Sequence, residues 1–202
     1  MMKIIVLFLI SLSIGFASTQ DALKAYKDGK YKEAFNLYSI EAKAGDTTAQ
    51  NALSYLYFNG IGVKKDNKRA LQWLQKAADT KDSRACFDLG MMYLVGEHVQ
   101  KDTKKAFHYL SIAADKGNME AKYNLAYMYY NGDGVKQDVN KAAALLEEAA
   151  KAGHLRAKQN VGRIYLQVFN FKKAKYWLQQ NAKDGDVQAQ TLLDEIAPLK
   201  KD

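Results

Sequence analysis

The sequence is poor in the residues that staple or interrupt a chain: its 202 residues include one Cys and one Pro. A lone cysteine cannot close an intramolecular disulfide, so stability must come from packing, in whatever compartment the protein works. With a single proline, long helices need hardly ever be interrupted, and 13 Gly remain to supply the breaks. Histidine is also scarce, at three residues. What is plentiful is hydrophobic side chains, at 48%, set against 26% charged ones. That balance excludes a disordered tail, a collagen-like fibre and a multi-span membrane protein. Together these shortages predict an all-α protein punctuated by glycine.

Residues 1–17 have the three-part pattern of a secretory signal peptide. Lys3 is followed by an apolar run from Ile4 to Ile14, then by the small Gly15 and Ala17, with a cut expected after Ala17. The run is shorter than the about 20 residues of a membrane-spanning helix, so no stable membrane insertion is expected after cleavage. No cysteine follows it, so a bacterial lipoprotein anchor is not expected either. The expected location is periplasmic or secreted. Cleavage removes one Lys and no acid, leaving 29 basic against 22 acidic residues, a net charge of +7. Export argues against a nucleic-acid partner despite that balance. Anionic wall polymers, lipid headgroups and acidic proteins remain compatible with it.

A period of 36 residues organises the rest. Ala49, Ala85, Ala121 and Ala157 share one column; Leu53, Leu89, Leu125 and Val161 the next; Tyr57, Tyr93, Tyr129 and Tyr165 a third. Gly60, Gly96 and Gly132 follow, then Asp66, Asp102 and Asp138, and a paired Ala closes each of these units. The fourth unit has four residues deleted from its internal loop. Within a unit, Ala49, Leu53, Leu56 and Tyr57 make one helical stripe. Glycines then break the helix, and Asp66 starts a second as its N-cap. Such a hairpin cannot bury its own apolar face, so copies must stack into a right-handed superhelical α/α solenoid with concave and convex walls. The expected organisation is a signal peptide (1–17), an atypical hairpin (18–44), repeats at 45–80, 81–116 and 117–152, a shortened repeat (153–184), and a capping helix with tail (185–202). A monomer is expected.

The clearest unit, Ala121 to Gly153, carries Leu125, Tyr129, Gly132, Gly134, Val135, Asp138, Lys141 and Ala142. This pattern resembles the Sel-one-like (Sel1-like) repeat, SLR, a tetratricopeptide-related family of helical hairpins. Ser54 and Ala126 stand where Gly is usual in that family, and His98 replaces the second loop glycine. A narrower resemblance is to the secreted cysteine-rich members first known from Helicobacter, which clasp successive hairpins with a Cys pair. Here Cys86 occupies the second clasp position and Ala78 the first, so this chain is similar to a relative without the clasps. Read from the residues alone, Cys86 is a small half-buried helix residue. The resemblance implies a Gram-negative periplasmic protein. It also brings an alternative, a β-lactamase or penicillin-binding-like hydrolase.

Residues two positions from the buried stripe point about 200° away, toward the concave wall. They include Tyr55 and Phe58; Phe87, Met91 and Leu94; Tyr123, Tyr127 and Tyr130; and Arg163. Aromatic residues and Met on a face that water should wet suggest a surface for a protein or peptide partner, with peptidoglycan fragments as another candidate ligand. No metal site is expected, because His98, His108 and His154 lack helical pairing with one another. The glycine loops lack the Lys-Ser/Thr of a phosphate loop, and no nucleophile stands beside a base, so neither catalytic residues nor a cofactor are expected. Glu147-Glu148 and the Lys64-Lys65, Lys104-Lys105 and Lys172-Lys173 pairs read as solvated surface.

Overall fold

The computed structural model describes residues 18–197, so the signal-peptide reading of 1–17 lies outside the described residues. Eleven helices follow one another: α1 (Thr19–Lys27), α2 (Tyr31–Lys43), α3 (Thr47–Asn59), α4 (Asn67–Asp79), α5 (Ser83–Val95), α6 (Thr103–Asp115), α7 (Met119–Asn131), α8 (Val139–Lys151), α9 (Leu155–Gln167), α10 (Phe171–Lys183) and α11 (Val187–Ile196). No strand occurs among the described residues. Substantial contacts run between each helix and the next in the chain, the arrangement of a helical solenoid. In each hairpin we term the first helix A and the second B.

Apart from α2, whose N-cap Lys30 makes no such bond, helices of both kinds begin on a polar side chain that accepts a backbone N–H. Asp66, Asp102 and Asp138 cap α4, α6 and α8, with Oδ1 accepting from Arg69, Lys105 and Lys141 at 2.9, 3.0 and 2.9 Å. The A helices are capped in the same way by Asp46, Asp82, Asn118 and Asp186. His154 takes this place in α9, its Nδ1 accepting from the Ala157 N–H at 3.1 Å. The A helices α3, α5 and α7 end on Gly60, Gly96 and Gly132 in the left-handed region.

The core runs the length of the molecule as three clusters. Leu53 and Leu56 sit in the first, Leu89, Leu110 and Met128 in the second, and Leu146, Val161 and Trp177 in the third. Alanines at 0% exposure (Ala49, Ala85, Ala121, Ala157 on A helices; Ala70, Ala106, Ala142, Ala174 on B helices) let the helices approach closely. At Gly90 the approach is so close that an added methyl would lie 2.9 Å from Leu110 Cγ. The tyrosine column carries a recurring contact. A basic residue on the following B helix lies over each ring: Arg69 over Tyr57 at 5.9 Å, Lys105 over Tyr93 at 5.1 Å, Lys141 over Tyr129 at 4.5 Å and Lys173 over Tyr165 at 5.0 Å. Cys86 is fully buried, not half-buried, because α4 and α5 close over it, and its Sγ lies 3.6 Å from the Ala78 carbonyl oxygen.

Candidate functional site

The A helices stand in a row, and in three places side chains bridge one to the start of the next. Asn51 Nδ2 donates to Asp82 Oδ1 at 2.8 Å, the Tyr123 ring stacks on His154 at 4.6 Å, and Arg163 Nη2 donates to Gln188 Oε1 at 2.9 Å while lying 3.4 Å from Asp186 Oδ2. These bridges hold the wall on which the candidate residues lie.

Tyr55 is 49% exposed and stands between two grooves. One, of about 490 Å³, opens toward α1 and takes in Leu23 and Tyr26. The other, of about 370 Å³, runs between α3 and α5, with Phe58, Met91, Met92 and Val95 as its apolar lining. Val95 is 59% exposed. Arg84 borders both grooves, and its Nε lies 4.0 Å from Asp88 Oδ2. Burial pushes the Asp88 carboxyl above its ordinary range, an effect that Arg84 opposes. Phe58 is backed by the His98 ring, stacked at 4.7 Å. Phe87 and Leu94 pack half-buried against the central core and are not among the side chains lining this groove.

Tyr123, Tyr127 and Tyr130 form a second group, with ring centroids 4.9 and 6.4 Å apart along the ladder. All three are half-buried against the third core cluster. Burial, and then the neighbouring Tyr123 hydroxyl, push the Tyr127 phenol well above its usual value, while the Arg163 charge opposes them. Tyr127 is therefore neutral across the physiological range. The structure thus places Tyr55, Phe58 and Met91 around one groove and the Tyr123 ladder, with Arg163 near it, further along the wall. The sequence reading missed Leu23, Tyr26, Arg84, Met92 and Val95. Met92 and Val95 lie one position beyond the residues chosen, and exposed Val95 marks the neighbouring column as accessible too.

Among the described residues, the one Ser or Thr hydroxyl that meets an ionisable side chain is Ser18 with Asp21, and that pair is the capping box of α1. Cys86 is buried, and its thiol is pushed up to about 11 by burial and then by the Asp82 and Asp79 charges, the opposite of an activated nucleophile. No group of three His, Cys, Asp or Glu positioned to hold a metal ion occurs among the described residues. The wall offers apolar contact, hydrogen-bonding groups and the guanidinium groups of Arg84 and Arg163, a chemistry suited to binding.

Comparison with known proteins fits this geometry. A crystal structure of a protective antigen of uropathogenic Escherichia coli displaying an SLR fold superposes with TM-score 0.77 and 26% identity over 89% of this chain. A Sel1 repeat protein from Oxalobacter formigenes superposes with TM-score 0.77 and 28% identity, covering 89% of this chain and 75% of that one. A sel1-like repeat-containing protein of Acanthamoeba polyphaga mimivirus is 33% identical over 64 residues, which are 32% of this chain and 11% of the viral protein. The match spans 41% of the E. coli antigen, so this chain accounts for less than half of that relative. The Sel1-repeat family model matches residues 47–80, 83–118, 120–154 and 161–186. Four matched copies over most of the helical array place the chain in the Sel1-repeat family.

Proposed function

We propose that this protein is an exported interaction scaffold that holds a segment of a protein or peptide on its concave wall. Sel1-repeat solenoids are in general protein-interaction folds. The observation that carries the proposal here is Tyr55, half exposed between two contiguous grooves, with Phe58, Met91 and Val95 beside it. An aromatic ring standing in water at the junction of two apolar clefts is the geometry of an interface anchor. The leader-like residues 1–17 support delivery across the cytoplasmic membrane.

The test is photo-crosslinking in cells from a benzophenone side chain at position 55, followed by affinity measurement on the captured partner. Tyr55→Ser combined with Val95→Ser is expected to weaken binding at least about ten-fold, which is about 1.4 kcal/mol. The melting temperature should stay within about 2 °C, because both side chains are exposed. The Tyr123 ladder suits this test less well, since its half-buried rings also support the core. Crosslinks formed only from convex positions would overturn the proposal. So would binding to isolated sacculi that the two substitutions abolish with no protein captured, which would assign the wall to a cell-wall ligand. Mature protein recovered outside the cytoplasm should begin at Ser18.

A further inference from the structure

Because helices in the solenoid alternate in direction, all the A-to-B loops emerge on one edge. They touch in sequence: an added Cβ at Gly62 would lie 2.2 Å from the Tyr31 carbonyl oxygen at the start of α2, and one at Gly134 would lie 2.2 Å from that of Thr103 at the start of α6. Between them, His98 Nδ1 lies 3.3 Å from Asn67 Nδ2 at the start of α4. These three loops each rest on the preceding B helix, so the loops and the first turns of the B helices form one strip along that edge.

That strip holds the chain's charge imbalance. Residues 28–33, 60–69, 96–105, 131–141 and 168–175 carry fourteen Lys and Arg against seven Asp and Glu, whereas the other described residues carry thirteen against fourteen. Three of the seven acids, Asp66, Asp102 and Asp138, are engaged as helix caps. Lys64, Lys65, Lys68, Lys101, Lys104 and Lys172 are exposed, and none has a carboxylate within 4.0 Å among the described residues. Pairs that read as separate solvated patches in sequence are aligned here.

A second observation selects the partner. The shortened fourth loop lifts Phe169 to 79% exposure, in the left-handed region at φ +56, a conformation that disfavours an aromatic residue. Phe171 beside it is 41% exposed, the two rings lie 6.3 Å apart, and Lys172, Lys173 and Lys175 follow directly. A soluble polyanion would satisfy the lysines and leave both rings in water. A lipid surface takes both, with cations at the headgroups and rings at the acyl boundary. No described helix is long and apolar enough to cross a membrane, so the contact is peripheral. We infer that this basic loop edge docks on an anionic phospholipid surface, with Phe169 and Phe171 as the inserted pair. The strip meets the α3–α5 groove only at Glu97 and at His98, which stacks on Phe58, so docking leaves Tyr55 and the rest of the wall open to a partner.

The test is vesicle flotation with protein beginning at Ser18, which retains every described helix and all three core clusters, its fold checked by thermal melting. Vesicles are phosphatidylcholine alone or with about a third phosphatidylglycerol. Binding to the anionic vesicles is expected to exceed that to neutral ones at least about ten-fold and to weaken steeply with salt. Phe169→Ser should weaken it about five-fold with an unchanged melt, and Phe169→Trp should show a blue-shifted indole emission on anionic vesicles. Lys64→Gln with Lys65→Gln and Lys104→Gln, in segments of the strip away from Phe169, should cost about ten-fold or more. Equal binding to both vesicles, an unshifted emission from the Phe169→Trp protein, or unchanged binding by the triple Lys variant would each overturn the inference. So would equally tight binding to soluble dextran sulfate that is indifferent to Phe169→Ser, since that would assign the strip to polyanions in general.

Discussion

Glu147 shows how far a residue's surroundings can depart from its place in the sequence. As half of an acidic pair on a helix it reads as solvated, yet its side chain is only 12% exposed. Burial alone would raise its pKa, but hydrogen bonds outweigh this. Lys173 Nζ donates at 2.6 Å, the Tyr165 hydroxyl donates as well, and Lys151 Nζ lies 2.9 Å from the other oxygen. The carboxyl is held down to about 2, from an ordinary 4.5. Its folded value lies below the unfolded one, so its stabilisation is complete above about pH 4.5 and is lost as pH falls from there toward 2. Glu147→Gln is expected to cost about 1–2 kcal/mol near neutral pH, since Lys173 is half exposed. It should also flatten the fall in melting temperature between pH 4.5 and 2; a variant with the wild-type acid profile would show that Glu147 is not the group responsible. Only the Lys151 pair, four residues on along α8, has a spacing legible in the sequence; Tyr165 and Lys173 come from α9 and α10 and share no local spacing with Glu147.

At the scale of elements, much of the design was legible because caps and glycines recur at fixed offsets. Asp66 was recognisable as a cap from its position before an amphipathic run, and the A-helix caps lay equally open in the column Asp46, Asp82, Asn118, His154 and Asp186. What sequence could not separate is glycines needed for backbone freedom from those needed for space. Gly117 has φ +88 with nothing within 4 Å of an added Cβ, and Lys81 takes the same position in another repeat at φ +61. Gly134 has φ +70, and its added Cβ would lie 2.2 Å from the Thr103 carbonyl oxygen. Gly117→Ala should therefore cost about 1 kcal/mol, and Gly134→Ala about 3 kcal/mol. These correspond to melting shifts of about 3 and 9 °C for a chain of this size. In the second loop His98 occupies the Gly134 position at φ +60, with its ring stacked on Phe58, a compensation that Ala cannot supply. Equal losses for the two variants would mean that the third loop is not seated on α6.

For the whole molecule, the 36-residue period made the helical array legible, since columns that recur must occupy equivalent places in stacked units. The grooves were less legible, because they depend on how far neighbouring A helices separate, which no single column encodes. The same one-dimensional stacking governs stability. Each helix packs chiefly on its chain neighbours, and the core is divided among clusters centred on different hairpins. Folding energy in such an array is a sum of local and nearest-neighbour contributions, so damage should stay where it is made. Leu53, 1% exposed in the N-terminal cluster, is a suitable probe. Leu53→Ala should remove about 3 kcal/mol from that cluster. Hydrogen exchange should then accelerate about a hundred-fold in α1 to α4, by the RT ln relation between opening free energy and rate, while α7 to α10 keep their protection. Acceleration of equal size throughout the chain would show that the solenoid opens as a single cooperative unit, and would rule out independent behaviour of its two ends.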